Sequence, residues 1–252
     1  MKTLIRTLSA ETLKLKRTLA LWLALIMPLT IVAMQVGLFY RNGSSGIPAG
    51  ESAWVWYGQL NMVFWGLLML PLFVTLETAL VGNMEHTSDH WKHLNALPVP
   101  RGAIYAAKQF SGMALIALSS VALVLFSVAG GLLLKLLRPG IGLDGAIPWA
   151  RFFAFAAMTY VGAWLIISIQ MWISLRWKSF VVACAAGIGL TVAGVFIIHA
   201  DWGSFWPWAL PGGIANEFNE SVLHLPQLLF GGLGGLLAAL LGGWDVTRQD
   251  VL

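Results

Sequence analysis

Long apolar runs separated by short polar stretches dominate the hydrophobic pattern of the chain. Six of them cover about residues 19–40, 53–81, 110–134, 152–175, 179–198 and 226–243. A helix needs ~20 mostly apolar residues to cross the ~30 Å hydrocarbon layer of a membrane, so each run can span it. Each is expected to be helical, because a helix pairs its own backbone N–H and C=O groups where water is absent. Strand-like alternation is missing, which argues against a membrane β-barrel. The pattern predicts an all-α, polytopic integral membrane protein with six transmembrane helices, built as a single domain over residues 1–252.

Lysine and arginine positions orient the bundle. With the N-terminus inside, the inner segments 1–18, 82–109, 176–178 and 244–252 carry eleven Lys and Arg, against four in the outer segments. Both termini are therefore expected in the cytoplasm. Lys135, Arg138 and Arg151, all in or beside the third connection, oppose that assignment. Composition agrees with a lipid solvent: 58% of residues are hydrophobic, 10% are charged and the mean hydropathy is +0.79. A soluble core has no use for so much apolar side chain. The net charge of +4 is small, and nothing points to nucleic acid. The lone Cys184 excludes an internal disulfide and, in its apolar setting, reads as a packing residue.

Residues 1–18 resemble a signal peptide only superficially, since the apolar run that follows is too long and lacks a small-residue cleavage site. Leu4, Ile5, Leu8, Thr12 and Leu15 recur near helical spacing, with Lys2, Arg6, Lys14, Lys16 and Arg17 elsewhere. That predicts an amphipathic helix in the inner membrane interface, its lysines toward lipid headgroups. A basic flank that merely fixes orientation would read the same way.

The polar chemistry is concentrated in EHTSDHWKHLNALPVPRGAIYAAK, Glu85 to Lys108, the largest inner connection. Glu85 to Leu97 can form about three helical turns, ended by Pro98 and held extended by Pro100. Trp91, Leu94 and Leu97 give one side an apolar stripe, which a plain solvated loop would not need. A short charged helix held at the membrane face suits docking to a soluble partner.

The order Glu85, Trp91-Lys92, Leu97-Pro98-Val99, Arg101 and Lys108 resembles the cytoplasmic loop of type-2 ATP-binding cassette (ABC) transporter permeases. It is most similar to the small permeases associated with bacitracin and lantibiotic resistance or immunity. Ser88-Asp89-His90 precedes Trp91 where those permeases more often have a Gly-Thr or Thr pair. The resemblance extends over the N-terminal helix, the six spans, FWPWALPGG and the GGWDVTRQDVL tail. It implies that residues 85–101 are a coupling segment fitting a groove on an ATPase subunit, with Glu85, Trp91, Lys92 and Arg101 as the docking residues. It also implies a second permease subunit, identical or related, and an inner-membrane location. ATP and magnesium would belong to the partner; FWPWALPGG would dip back toward the membrane and cap a pathway from outside. The sequence itself carries no GxxxxGK[ST] and no Gly-Lys dipeptide, so the phosphate-cradling loop for ATP must come from another polypeptide.

Other constellations are weaker. His86, His90 and His93 share a helical face, a spacing that can hold zinc, yet contacts with a partner or water explain them as well, and no metal is expected. Gly43-Ser44-Ser45-Gly46 matches a rhomboid-protease pattern but lies in an outer loop of ordinary turn residues. Gly231 and Gly235, with Ala239 at the same interval, mark a face for close helix packing. Within the spans, Glu77, Gln35, Asn61 and Gln170 are the polar residues that could line a substrate pathway or bond between helices. For Glu77 the plainer expectation is that it ends the second span near the inner interface and reaches water.

The reading is a permease subunit of an ABC exporter that moves an amphiphilic substrate, a peptide antibiotic or lipid-like molecule, with no catalytic residues of its own. An intramembrane enzyme, such as a protease or a lipid-modifying protein, is the alternative.

Overall fold

The computed structural model describes residues 7–9, 11, 19–87, 100–177, 179–200, 202–218 and 225–248, with the backbone alone for 44 and 84–87. Among the described residues every regular element is helical. The first span is α1 (Leu19–Asn42) and the second joins α2 (Ala53–Phe64) through a π-turn (Trp65–Met69) to α3 (Leu70–Thr87). The third is the long α4 (Arg101–Leu137), and the fourth is a pair, α5 (Trp149–Gly162) and α6 (Trp164–Arg176), bent by 40°. The fifth is α7 (Phe180–Ile197), the short α8 (Leu210–Asn216) follows, and α9 (Leu225–Arg248) is the sixth. Counting the bent pair as one span gives the six expected from hydropathy.

Two of these helices run farther than the apolar pattern suggests. α3 continues unbroken to Thr87, so Glu85 lies within it and not at the start of a separate loop helix. α4 begins at Arg101, directly after Pro100, whose fixed φ suits a helix start, so Arg101 and Lys108 are already helical.

The second span is broken for a chemical reason. Pro71 has no N–H to give Leu67, and its ring would strike that carbonyl in a regular helix. The backbone widens instead, and the Leu70 N–H bonds the Trp65 carbonyl five residues back. The 40° bend in the fourth span falls at Gly162-Ala163, where the Ala163 N–H is shared between the Thr159 and Tyr160 carbonyls.

These irregular points are where backbones approach most closely. A Cβ on Gly66 of the π-turn would lie 2.6 Å from the Pro211 carbonyl oxygen of α8. One on Gly212 would lie 2.7 Å from the Leu67 Cα. The two segments interlock through their glycines. At the bend, Gly231 of α9 sits on the Gly162 backbone and Gly235 on that of Trp164, each leaving under 3 Å for a Cβ. The small-residue face of the last span is therefore spent on packing within the bundle.

α3 occupies the middle of the bundle and touches α1, α4, α6 and α7. Its Gly82 lies against Ser174 of α6 and its Thr75 against Gly187 of α7. Leu19, Trp22, Leu136, Val181, Phe196 and Leu240 are exposed on the outer faces of their helices, as expected of side chains meeting lipid. Cys184 is half-buried.

Adjacent glycines provide a test of the interlock, because nothing lies within 4 Å of a Cβ placed on Gly213. Gly212→Ala is expected to cost roughly 1–3 kcal/mol through overpacking. Gly213→Ala should be nearly silent. Thermal unfolding of the purified variants checks the contrast, and equal behaviour would remove the interlock from the account.

Candidate functional site

Helices flank the 88–99 connection on both sides. Glu85 lies on the end of α3, and Arg101, half-buried, opens α4. Trp91 and Lys92, together with His90 and His93, fall outside the described residues. Behind Arg101, Lys108 is fully buried and its Nζ lies 3.1 Å from the Glu11 carboxylate, itself nearly sealed. This pair ties the N-terminal segment to the foot of α4. The sequence offered one hint, since Glu11 is the sole acid among the first eighteen residues, but nothing in the pattern links it to a lysine 97 positions away. At the same end of the bundle, Asp245 of α9 accepts from the Trp172 indole at 2.9 Å and lies 3.6 Å from the Arg176 guanidinium. These contacts bind the tail helix to α6.

At the opposite end, each basic residue that argued against the orientation has a local partner. Lys135 lies 3.2 Å from Asp144. The Arg138 guanidinium donates to the Tyr40 and Arg41 carbonyls, closing the end of α1. Arg151 stands over the Phe218 ring at 6.0 Å. Gly43 begins the turn after α1 with φ of 65° directly against Arg138, and Ser45 donates to the Asn42 carbonyl. The GSSG stretch is thus the cap of a helix end.

The aromatic stretch before the last span divides in two. Trp202 and Phe205 face outward, whereas Trp208 is 4% exposed and Ala209 to Gly212 are buried. α8 packs on α2, on the π-turn and on α5, and the Gln59 amide of α2 donates to the Asn216 carbonyl at 2.9 Å. A short helix lodged between the second and fourth spans closes the bundle at this end.

The interior carries the four polar span residues named from the sequence, and all are buried. Gln170 bonds between helices, its Nε2 donating to the Ala183 carbonyl of α7 at 2.7 Å. Asn61 turns back on its own helix, donating to the Tyr57 carbonyl at 2.8 Å. The Gln35 amide nitrogen has no partner among the described residues. Glu77 corrects the plainer expectation: it does not reach water but is 0% exposed, and neither carboxylate oxygen has a hydrogen-bond partner among the described residues. The miscount arose because α3 continues to Thr87, well past the point where the apolar pattern ended the span. Sequence reading also missed Gln109 of α4, which donates to the Ser168 hydroxyl of α6 at 2.9 Å. An unpaired buried polar group costs ~1–3 kcal/mol, and an intramembrane carboxylate more. Such groups point to a bundle whose interior does more than hold itself together.

The buried Glu11–Lys108 pair has a distinctive expected behaviour. Lys108→Met alone should lower stability by ~3–5 kcal/mol because it removes the lysine from a buried acid. Lys108→Met with Glu11→Leu should recover most of that loss, as measured by thermal denaturation of the single and double variants.

A model of the family described as ABC-2 family transporter protein matches residues 7–197. No curated protein and no solved structure matches the chain.

Proposed function

Because the chain belongs to the ABC-2 family of transporter proteins, we propose that it is the membrane-spanning subunit of an ABC exporter powered by ATP hydrolysed on another chain. The family makes it a multi-pass permease subunit that associates with an ABC ATPase subunit. It is a family of transport subunits, which does not favour the alternative of an intramembrane protease or lipid-modifying enzyme. Export, an amphiphilic cargo of the peptide-antibiotic or lipid-like class, a role in antibiotic resistance and an inner-membrane location extend that proposal. They rest on the likeness of the 85–108 segment to bacitracin and lantibiotic permeases. A second permease subunit, identical or related, would complete the pathway, and ATP with magnesium would sit on the ATPase.

The observation that carries the coupling role is that α3 and α4 run as unbroken helices up to the two ends of the 88–99 segment. Helices are stiff on this scale, so a push on that segment is delivered to the centre of the bundle through α3 and to its longest helix through α4. Glu85, Trp91, Lys92 and Arg101 are the residues assigned to the ATPase contact. Glu77, Gln35, Asn61 and Gln170 are assigned to the interior pathway, opened when the bundle rearranges.

Two experiments test this reading. Co-purification should recover an ATPase subunit, and charge reversal by Lys92→Glu or Glu85→Lys should reduce its recovery about tenfold, the equivalent of ~1.4 kcal/mol. Undiminished recovery after deletion of residues 85–101 would remove the coupling role. In a Cys184→Ala background, a cysteine at Ser88 should resist a membrane-impermeant thiol reagent applied to intact cells, while one at Ser45 should react. The reverse pattern would invert the orientation.

A further inference from the structure

We propose that Glu77 anchors a binding site for a cationic, hydrogen-bond-donating head group, an alkylammonium or a guanidinium, carried on an amphiphilic cargo. This rests on the permease reading above and names the charge of the substrate.

Spans two and four run in the same direction, and Gly82 of α3 lies beside Ser174 of α6. Glu77 is five residues along α3 from Gly82, and Ser168 and Gln170 are six and four residues along α6 from Ser174. At 1.5 Å per residue these offsets are ~7.5, ~9 and ~6 Å, which places all three in one thin layer. Gln109 joins that layer through its bond to Ser168. Gly82 and Thr75 show that one side of α3 faces α6 and α7. Glu77, two residues from Thr75 and five from Gly82, falls on the other side, toward the α1 and α4 helices that α3 also touches.

Hydrogen-bond accounting gives the layer its sign. Each glutamine nitrogen makes one bond, to Ser168 and to Ala183, and keeps a second N–H. At this level of α3 and α4 the groups without partners are both carboxylate oxygens of Glu77, Gln109 Oε1 and the Ser111 hydroxyl, whereas Gln170, bonded to α7, lies across α3 from Glu77. The amide and hydroxyl groups can accept or donate, so the sign is set by the two carboxylate oxygens, which when ionised only accept. A ligand that satisfied them would have to donate, and the carboxylate asks for a positive charge. The chain's own buried cation at the neighbouring helix, Lys108, is committed to Glu11. A metal ion is a poor fit, because the described residues hold no group of three His, Cys, Asp or Glu side chains. An ammonium or guanidinium needs only one carboxylate and neutral oxygens. Phe73, Ile116 and Met171, buried in the core of these same helices, offer apolar surface for the hydrocarbon part of such a molecule.

The layer is sealed in this structure, so the test uses the complex during turnover. The permease and its co-purified ATPase are placed in lipid nanodiscs, and ATP hydrolysis is followed with dodecylammonium, dodecanol or dodecyl sulfate below micellar concentration. Dodecylammonium is expected to stimulate hydrolysis, with the neutral and anionic chains inactive. Glu77→Gln, close in shape, should raise the half-maximal dodecylammonium concentration about tenfold or more, and Glu77→Asp should keep the preference for the cation. Equal stimulation by dodecanol, no response to dodecylammonium, or an unchanged midpoint in Glu77→Gln would each overturn the site while leaving the permease reading intact. If Glu77→Gln fails to accumulate, the ranking of the three amphiphiles on the wild-type complex decides the matter. Failure to recover any ATPase would overturn the permease reading itself, and the cargo assignment with it.

Discussion

Backbone hydrogen bonding in a solvent without water is the constraint on which the rest of this structure depends. It forces each span into a helix, and it also decides where helices can be interrupted. The π-turn at Trp65–Met69 is covered by α8, and the bend at Gly162-Ala163 is covered by α9. Both interruptions are roofed by protein and not by lipid. The glycines at 66, 212, 162, 231 and 235 are what let the covering backbone come close enough. Irregularity and close packing are thus one feature: Pro71 makes the break, and the glycines pay for its burial.

Much of this was legible in the sequence because hydropathy reports length directly. All six spans lie where the apolar runs predict them, and the Gly231–Gly235 face packs inside the bundle as its spacing suggests. The limits are equally physical. Apolar runs end where side chains become polar, whereas α3 is still helical at Thr87 and α4 is already helical at Arg101. That difference misplaced Glu77 at an interface when it lies in the core. Pairings across long sequence separations leave no local trace either. Glu11 with Lys108 and Gln109 with Ser168 join residues 97 and 59 positions apart, and neither partner announces the other.

The three basic residues at the end opposite Lys108 show how a charge rule and a packing rule interact. A count of lysines and arginines treats every charge as free to choose its side of the membrane. Lys135, Arg138 and Arg151 are instead occupied by a carboxylate, by helix-end carbonyls and by an aromatic face. Their positions follow from what they hold together, so they weigh little against the eleven Lys and Arg in the segments assigned to the inside.

A permease has to reconcile a tight bundle with an interior that can open, and the chain separates these demands by position. Glycine interlocks and the buried α8 hold one end shut. Ion pairs at Lys108 and Arg176 hold helices together at the other. Between them lies a layer of polar groups with unspent hydrogen-bonding capacity. Stability alone would have replaced Glu77 with leucine, since an unpaired buried carboxylate only subtracts from the folding free energy. Its burial within α3 is intelligible if the missing partner arrives with the cargo, so that the cost of the empty site becomes a driving force for filling it.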